Sequence, residues 1–432
     1  MKKSKSLIAG LLAMTMLLCL NSCRDKSYEE ITYVASIPVV MGFDEFRGAV
    51  KSTVPKVLQH PGKIYFKDNY IFLNEFQEGI HIIDNSDPAN PVIVNFLQIP
   101  GNTDMAVKDN ILLVNSYIDL VAIDISNPLN PVEVDRIENA FPNVLPPLDD
   151  IESPIYGLDF AKGVVVGWEK RQVTEVIERE NSPLFGRMVE DSDGVPNISG
   201  TEVRFNSSYG TGGSMARFTL SGNYLYALHN NILKLFNLSG QEITPSKEVL
   251  INREAETIFP HGNNLFIGTF TGMLIYDISS PAFPTFISEF DHITSCDPVV
   301  VEGDYAYVTL RSGTSCLNTA NQLDVIDISS LAHPFLVKTY PMYNPHGLGI
   351  DNNILFICDG DAGLKVFDAT DPMAIHQNQI AYFPDINTYD VIPLDGLLIM
   401  TGANGLYQYD YTDPESLQLI SVIPIVNYGS GN

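Results

Sequence analysis

The sequence predicts an all-β protein, a single β-propeller of four-stranded blades, with eight blades preferred and seven possible. Three observations support this fold class: a short apolar strand closed by Asp or Asn recurs along the chain, most copies lie about 40 residues apart, and a tight-turn dipeptide lies within each unit. A repeat of this length indicates a propeller or a solenoid. Four-stranded sheets arranged radially leave only short edges, which favours closure into a ring.

The residue that closes the repeated strand is Asp in six copies and Asn in one. These residues are Asp84, Asp124, Asn237, Asp277, Asp327, Asp368 and Asp410, with successive spacings of 40, 113, 40, 50, 41 and 42 residues. The spacing of 113 is interpreted as two units plus an insertion. Because an Asp side chain accepts hydrogen bonds from the backbone beyond it, and Pro often follows, the chain is expected to turn after each closing residue.

Each unit is interpreted as four strands, and the second unit is the clearest. Its predicted strands are Thr103–Lys108, Ile111–Ser116, Leu120–Ile125 and Val132–Ile137. The dipeptide Asp109-Asn110 between the first two is a hairpin signal. Equivalent dipeptides give eight units in total.

The third predicted unit is irregular. Its strands would be Ile155–Phe160, Val164–Lys170 and Val173–Arg179, and it has no clear closing Asp. Residues 180–213 then form a glycine-rich insertion loop. Loops of this length are usually functional or disordered, and the sequence does not decide between the two.

The chain begins with features of a lipoprotein signal peptide, assigned to residues 1–22. A basic start is followed by the apolar run Leu7–Leu20, which is short for a membrane span. Residues 20–23, Leu-Asn-Ser-Cys, resemble a bacterial lipobox with Cys23 as the lipidated residue; the alternative is an ordinary signal peptide with a chance cysteine. Lipid on Cys23 would anchor the protein without a spanning helix.

The remaining boundaries follow from these segments. Residues 23–56 are predicted to form a lipidated tether and an N-terminal strand, with the strand at Ile31–Val40 and a short helix at Asp44–Val50. The propeller is predicted over residues 57–426, and residues 427–432 form a C-terminal tail. Which strand would pair with Ile31–Val40 is left open, because the last unit already has its own outer strand.

The repeats resemble the LVIVD-repeat family of β-propeller lipoproteins of Bacteroides-like bacteria. The first two units carry the resemblance most clearly, in the segments Gly79–Asn85 and Ile99–Asn102. The resemblance implies a propeller fold and a lipid-anchored location at the outer membrane or the periplasm-facing envelope. It implies no settled activity.

The charge of the chain excludes one class of partner. The formal net charge is −27, and loss of the three lysines in residues 1–22 takes it to −30. A surface this acidic repels nucleic acid phosphates and anionic lipid headgroups. The expected partner is therefore an envelope protein, a peptide or a glycan, with membrane contact through the lipid anchor only.

Ionisable residues are expected to gather at one mouth of the channel. In a four-stranded meander, first strands start and second strands end on the same side. The residues at first-strand starts are Lys63, Asp104, Arg217, Glu256, Asp297, His346 and Asp390, and those at second-strand ends are Glu75, Glu169, His229, Arg311 and Asp359. Such convergence is the default hypothesis for a binding site, although solvated loop ends are also polar without any function.

Two functions are compatible with this face. The first is a binding or interaction scaffold with an acidic channel mouth; the second is an envelope glycan hydrolase or lyase that uses carboxylates there. The sequence contains no nucleophile elbow, phosphate-binding loop or paired-histidine metal motif. No cofactor or metal ligand is assigned, although a structural cation on the channel axis is possible.

The cysteines predict one disulfide. Cys296 starts the first strand of the sixth predicted unit, and Cys316 lies in the enlarged loop between its second and third strands, at the same mouth. In an oxidising envelope these two residues would form a bridge that closes the loop. Cys358, inside an apolar strand, is predicted to be a buried free thiol.

Overall fold

Seven antiparallel sheets make up most of the described chain in a computed structural model of the protein. The structure describes residues 27–148, 153–179, 216–240, 242–291, 298–312 and 320–426. The chain divides into two units, one of residues 39–147, 159–167 and 205–432 and one of residues 1–38, 148–158 and 168–204. All seven sheets belong to the larger unit, and each is a blade.

The strands of each blade are named by their order from the channel outwards. The first strands are β3 (Pro61–Lys67), β7 (Met105–Lys108), β12 (Phe218–Ser221), β16 (Ala255–His261), β20 (Val299–Glu302), β24 (Leu348–Asp351) and β28 (Thr388–Leu394). The second strands are β4 (Tyr70–Glu75), β8 (Ile111–Ser116), β13 (Tyr224–His229), β17 (Asn264–Thr269), β21 (Tyr305–Leu310), β25 (Ile354–Cys358) and β29 (Leu397–Gly402).

The outer half of each blade repeats in the same way. The third strands are β5 (Gly79–Asp84), β9 (Asp119–Asp124), β14 (Ile232–Asn237), β18 (Gly272–Asp277), β22 (Gln322–Asp327), β26 (Leu364–Asp368) and β30 (Gly405–Asp410). The fourth strands are β6 (Val92–Gln98), β10 (Val132–Ile137), β15 (Thr244–Leu250), β19 (Thr285–Asp291), β23 (Phe335–Pro341), β27 (Gln379–Phe383) and β31 (Gln418–Pro424). In blade 1, the short strand β2 (Lys51–Thr53) pairs with β6 as a fifth strand.

The blades form a closed ring. The first strand of each blade contacts the first strands of its two neighbours, and β3 of blade 1 contacts both β7 of blade 2 and β28 of blade 7. The predicted all-β, single-propeller fold is therefore confirmed. The ring has seven blades, so the stated alternative of seven is right and the preference for eight is wrong.

The third predicted unit is not a blade. Residues Val164–Arg179, predicted as two strands, form one continuous strand β11, which pairs with β1 (Ser27–Met41) in a separate two-stranded sheet. The physical reason is that Arg171 and Gln172, at the predicted break, are not turn-forming residues, so nothing ends the strand. The partner left open for the N-terminal strand is therefore β11.

Side chains support this two-stranded sheet within the smaller unit. The hydroxyl groups of Thr32 and Thr174 lie 2.9 Å apart, and the Tyr33 hydroxyl donates to Glu175 at 2.9 Å. In the larger unit, the predicted short helix is present as α1 (Phe43–Arg47), and Phe46 is buried in a cluster with Tyr117 and Val164. Single 3₁₀ turns lie at Phe160–Lys162 and Ile375–Gln377.

The core lies between adjacent blades. In blade 2, the second and third strands are buried along most of their length, whereas the fourth strand is exposed or half-buried throughout because it lies at the outer edge of the ring. Seven apolar clusters of the described residues join neighbouring blades; Ile80 and Leu97 of blade 1, for example, share a cluster with Leu112 and Val121 of blade 2. The first strands therefore form the walls of the channel, and the starts of these strands form the rim of the channel.

Every closing residue forms the turn that the sequence predicts. Its Oδ1 accepts the backbone N–H two residues later in all seven blades, at 2.7–2.9 Å. These residues lie where the third strands end. That side of the ring is opposite to the side where the first strands start. The repeat therefore places six aspartates and one asparagine at that opposite end.

Glycine opens the third strand in blades 1, 4 and 7. Gly79 has a φ of +146°, and a Cβ there would lie 1.9 Å from the carbonyl oxygen of Leu97. Gly272 and Gly405 repeat this geometry against the carbonyls of Phe290 and Ile423. The glycine recurs because the fourth strand passes too close for any side chain.

The stability of the propeller is expected to fall as the pH is lowered below about 4. Hydrogen bonds from the following Ser or Thr hold the pKa of these closing carboxylates below the ordinary value: Asp84, Asp124, Asp277, Asp368 and Asp410. A carboxylate whose pKa is lower in the folded than in the unfolded protein stabilises the fold at pH values above its unfolded-state pKa. That stability is lost as the pH falls through the folded-state pKa. Urea unfolding at pH 7, 4 and 3 measures the effect, which is small per residue because the groups are exposed.

A matched variant separates this effect from general acid unfolding. Asp277→Asn keeps the acceptor oxygen, as Asn237 does in blade 3, but removes the titrating group. Its stability at pH 7 is expected to be slightly lower than that of the parent, and the two stabilities are expected to converge towards pH 3, so that the variant loses less stability in acid. An identical acid dependence in the variant and the parent would contradict the assignment.

Candidate functional site

Seven ionisable side chains, one from each blade, meet at the end of the channel where first strands start. We call this set the mouth ring; its members, in the order of blades 1 to 7, are Lys63, Asp104, Arg217, Glu256, Arg311, His346 and Asp390. The sequence predicted each of them at this mouth. Their positions follow from the meander, because antiparallel neighbours bring first-strand starts and second-strand ends to one side.

The ion pair between Lys63 and Asp104 joins blades 1 and 2. Both side chains are buried, and Lys63 donates to Oδ2 of Asp104. The same Oδ2 accepts the backbone N–H of Arg217 at 2.5 Å, while Oδ1 accepts the backbone N–H of Met105 at 2.7 Å. Burial lowers the pKa of Lys63, and the Asp104 carboxylate opposes that shift. Asp104 therefore connects three blades at the rim.

Contacts continue around the ring through blades 3 to 6. The Nε of Arg217 donates to the backbone carbonyl of Glu256 at 3.3 Å. Burial lowers the pKa of the Arg311 guanidinium, and the charge of Glu256 opposes that shift. The Nη1 of Arg311 lies 2.9 Å from Nδ1 of His346.

His346 is uncharged at neutral pH. Burial lowers its pKa to about 3, and the neighbouring Arg311 adds to the shift. The adjacent Gly347 packs against Asp390 so closely that a Cβ would lie 2.3 Å from its Oδ1. The electrostatic attraction between Asp390 and Lys63 then joins blade 7 to blade 1.

The mouth ring is balanced in charge. It contains three cations, three carboxylates and one neutral imidazole, so its described members carry no acidic excess. Asp297, also predicted here, lies outside the described residues. The six closing aspartates lie at the other end of the blades and are among the 52 acidic residues of the chain.

Two predicted site residues, Glu75 and Asp359, make hydrogen bonds outside the ring. Glu75 is buried and accepts from the backbone of Gln59 at 3.2 Å and from His81 Nε2 at 2.8 Å. Asp359 is buried and accepts from the backbone of Asn344 at 2.7 Å and from Lys365 at 2.5 Å. Both carboxylates thus position strands and loops around the rim.

The remaining predicted positions are His229, Glu169 and the cysteines. His229 Nε2 donates to the carbonyl of Pro142 at 3.1 Å, and burial followed by the charge of Lys234 lowers its pKa to about 4. Glu169 is in β11, not at the end of a second blade strand, because the third unit is not a blade. Cys23 and the predicted bridge of Cys296 and Cys316 lie outside the described residues, while Cys358 is a buried free thiol.

Sequence reasoning missed a set of buried amides beneath the rim. Asn74 donates to Asn102 Oδ1 at 2.7 Å, and Asn102 donates to the backbone carbonyl of Asn115 at 3.1 Å. Asn115 Oδ1 accepts the backbone N–H of Asp104 at 2.9 Å, which fixes the position of that carboxylate. A sequence pattern could have indicated these amides, because Asn74 and Asn115 are both the penultimate residues of second strands in consecutive blades.

A cavity of about 370 Å³ lies within the channel and reaches the mouth ring at Lys63 and Asp104. Its walls come from the first strands of all seven blades. Apart from Lys63, Asp104 and Thr219, its lining residues are aliphatic, aromatic, glycine or proline. The site is therefore a charged rim above a mostly apolar shaft.

Two features are absent from the described residues. No three His, Cys, Asp or Glu side chains among them are grouped as a metal site would require. In this part of the chain, no helix has the length and hydrophobicity needed to cross a membrane.

Seven antiparallel sheets closed around a channel, with a charged rim at one end, define this protein as a seven-bladed β-propeller. Four stretches of the chain match the LVIVD repeat model: residues 62–97, 102–138, 252–292 and 295–341. They correspond to blades 1, 2, 4 and 5. No curated protein matches the chain in sequence.

The chain is similar to several solved structures at low sequence identity. Saccharomyces cerevisiae Sqt1 matches with a TM-score of 0.50 and 7% identity over 88% of this chain and 90% of that chain. The computationally designed Ika8 protein matches with a TM-score of 0.49 and 11% identity over 85% and 88%. PorZ, a surface component of the type-IX secretion system of Porphyromonas gingivalis, matches with a TM-score of 0.47 and 11% identity over 88% and 40%.

Proposed function

We propose that this protein is a lipid-anchored component of the cell envelope, at the outer membrane or facing the periplasm, and that it binds an envelope protein, peptide or glycan at its channel mouth. The observation that carries the proposal is the mouth ring, in which every blade contributes one ionisable side chain to one rim. Charged and hydrogen-bonding groups gathered over a concave apolar shaft are typical of a binding site.

The geometry favours binding over catalysis. A glycan hydrolase or lyase would need a mouth carboxylate that exchanges a proton with its substrate. Both oxygens of Asp104 instead already accept from protein groups, Oδ2 from Lys63 and the backbone N–H of Arg217 and Oδ1 from the backbone N–H of Met105. A scaffold that presents fixed charges to a partner needs no such exchange.

The lipid anchor is tested on Cys23. Cells that express the full chain and are fed an alkyne-labelled fatty acid are expected to label this protein, because the acyl chains attach to that cysteine. Cys23→Ser is expected to abolish the label, while Cys358→Ser, which removes a buried thiol, leaves it unchanged. Equal labelling of the parent and Cys23→Ser would contradict the anchor.

The binding face is tested by a photo-crosslinking amino acid placed at either end of the ring. Tyr343 lies in a loop at the mouth and is 65% exposed, whereas Phe283 lies in a loop at the opposite end and is 64% exposed. These two aromatic positions are therefore matched in chemistry and access. Crosslinking in intact cells is expected to give a discrete adduct from position 343 and none from position 283.

Arg217 provides the specificity control for this experiment. Arg217→Gln changes the mouth ring without altering position 343 and is expected to reduce the adduct. Binding at the mouth would be contradicted by an adduct from position 283 alone. It would also be contradicted if the yield of the adduct from position 343 were the same with and without Arg217→Gln.

A further inference from the structure

The shaft below the mouth ring has the chemistry of a site for a hydrocarbon chain. Its volume of about 370 Å³ is in the range of small-molecule pockets. Phe66, Phe218, Ile258, Leu348 and Leu394 are among its lining residues. Transfer of each methylene from water to such surroundings is favourable, so an apolar chain of matching length would bind there.

The rim above the shaft offers one cation with unused donors. Arg217 lies between Ala216 and Phe218, which both line the cavity. Its backbone N–H is fixed by Asp104, and its Nε donates to the Glu256 carbonyl. Across the residues that the structure describes, its two Nη groups have no hydrogen-bond partner.

The other cation beside the cavity is already neutralised. The Lys63 ammonium is buried and paired with Asp104, so it is not available to an incoming anion. Charge complementarity at the rim therefore favours an anionic group on Arg217, whose planar guanidinium suits a carboxylate.

We propose that the channel binds an amphipathic anion, with its apolar chain in the shaft and its carboxylate hydrogen-bonded to the Nη groups of Arg217. This inference rests on the proposed function, because it assigns a ligand class to the same mouth. A straight-chain fatty acid of medium length is the simplest compound of this class and serves as the probe.

Calorimetric titration of the full chain carrying Cys23→Ser, which needs no detergent, tests the proposal. Octanoate, nonanoate and decanoate are expected to bind with affinity rising about fourfold per added methylene. Arg217→Gln is expected to weaken decanoate binding about tenfold, since hydrogen bonds to a charged group are lost. The same variant is expected to leave binding of decanol, which has no charge, unchanged.

Two further variants locate the ligand. Ala216→Phe places an aromatic ring in the cavity and is expected to abolish decanoate binding while Arg217 stays intact. Arg253→Gln makes the same exchange at a cation paired with Glu289 and Asp291, outside the cavity, and is expected to have no effect. Melting followed by circular dichroism shows whether each variant is folded; if Ala216→Phe is not, the chain-length series in the parent decides.

Three results would each overturn the proposal: no binding of decanoate at millimolar concentration, affinity that does not depend on chain length, or equal loss of decanoate and decanol binding in Arg217→Gln. Its failure is separable from that of the proposed function. Crosslinking at position 343 with no decanoate binding would reject the ligand class and retain the binding face. Decanoate binding with no crosslinking would reject the macromolecular partner instead.

Discussion

Replacing Asp104 by asparagine is expected to lower the free energy of unfolding by about 3–5 kcal/mol, because it leaves a buried lysine without its counter-charge. Asparagine has the same size, so no cavity contributes. Its amide N–H₂ group would also face either Lys63 and the backbone N–H of Arg217, which both donate to Oδ2 of Asp104, or the backbone N–H of Met105, which donates to Oδ1. The value should fall near the lower limit, since Asp390 still attracts Lys63. Urea unfolding at pH 7 measures it.

A double-mutant cycle shows whether the loss comes from the ion pair. Lys63→Met alone should cost less, because Asp104 keeps the backbone N–H groups of Met105 and Arg217. Adding Lys63→Met to Asp104→Asn should restore part of the lost stability, since no unpaired ammonium remains buried. A cost below about 1 kcal/mol for Asp104→Asn, or strict additivity of the two changes, would show that the pair does not hold the rim together.

Replacing Gln408 by leucine is expected to cost about 2–4 kcal/mol, because it removes the polar contact that closes the ring. Gln408 of blade 7 and Asn85 of blade 1 exchange two hydrogen bonds of 2.8 Å through their amides, and both residues are buried. The variant leaves the donor and the acceptor of Asn85 unsatisfied inside the interface. Urea unfolding with fluorescence detection measures the change.

The size of this effect follows from how little backbone joins these two blades. Among the described residues, their strands share no ladder, and Leu58 and Ile425 form a single bridge with one hydrogen bond from Val426 to Leu58 at 2.9 Å. Gln418→Leu, at an exposed position of the same blade, is the matched control and should stay within about 0.5 kcal/mol of the parent. Equal effects of the two substitutions would mean that the amides of Gln408 and Asn85 do not help to close the ring.

The repeated features of the fold were predictable because each unit encodes them locally. A closing Asp followed by Ser or Thr accepts a nearby N–H, a contact that depends on a few consecutive residues only. The second and fourth strands of blade 2 were predicted with the bounds that the structure has, Ile111–Ser116 and Val132–Ile137. Placement of the rim residues followed from antiparallel order, without any knowledge of distances.

The errors arose where long-range pairing decides the structure. A turn after Lys170 was expected from the rhythm of the repeat, but β11 continues because β1, more than 100 residues earlier, provides its partner. The balance of charge at the mouth also could not be predicted from the sequence. Lys63 and Asp104 are 41 residues apart, and only the closed ring shows that they neutralise each other.

A crystal structure of the protein is the decisive measurement for the ring and its rim. It is expected to show seven blades, with Lys63, Asp104 and Arg217 in contact at one end of the channel and β11 paired with β1. An eighth blade built from residues 153–179, or rim residues separated to opposite ends of the ring, would contradict it.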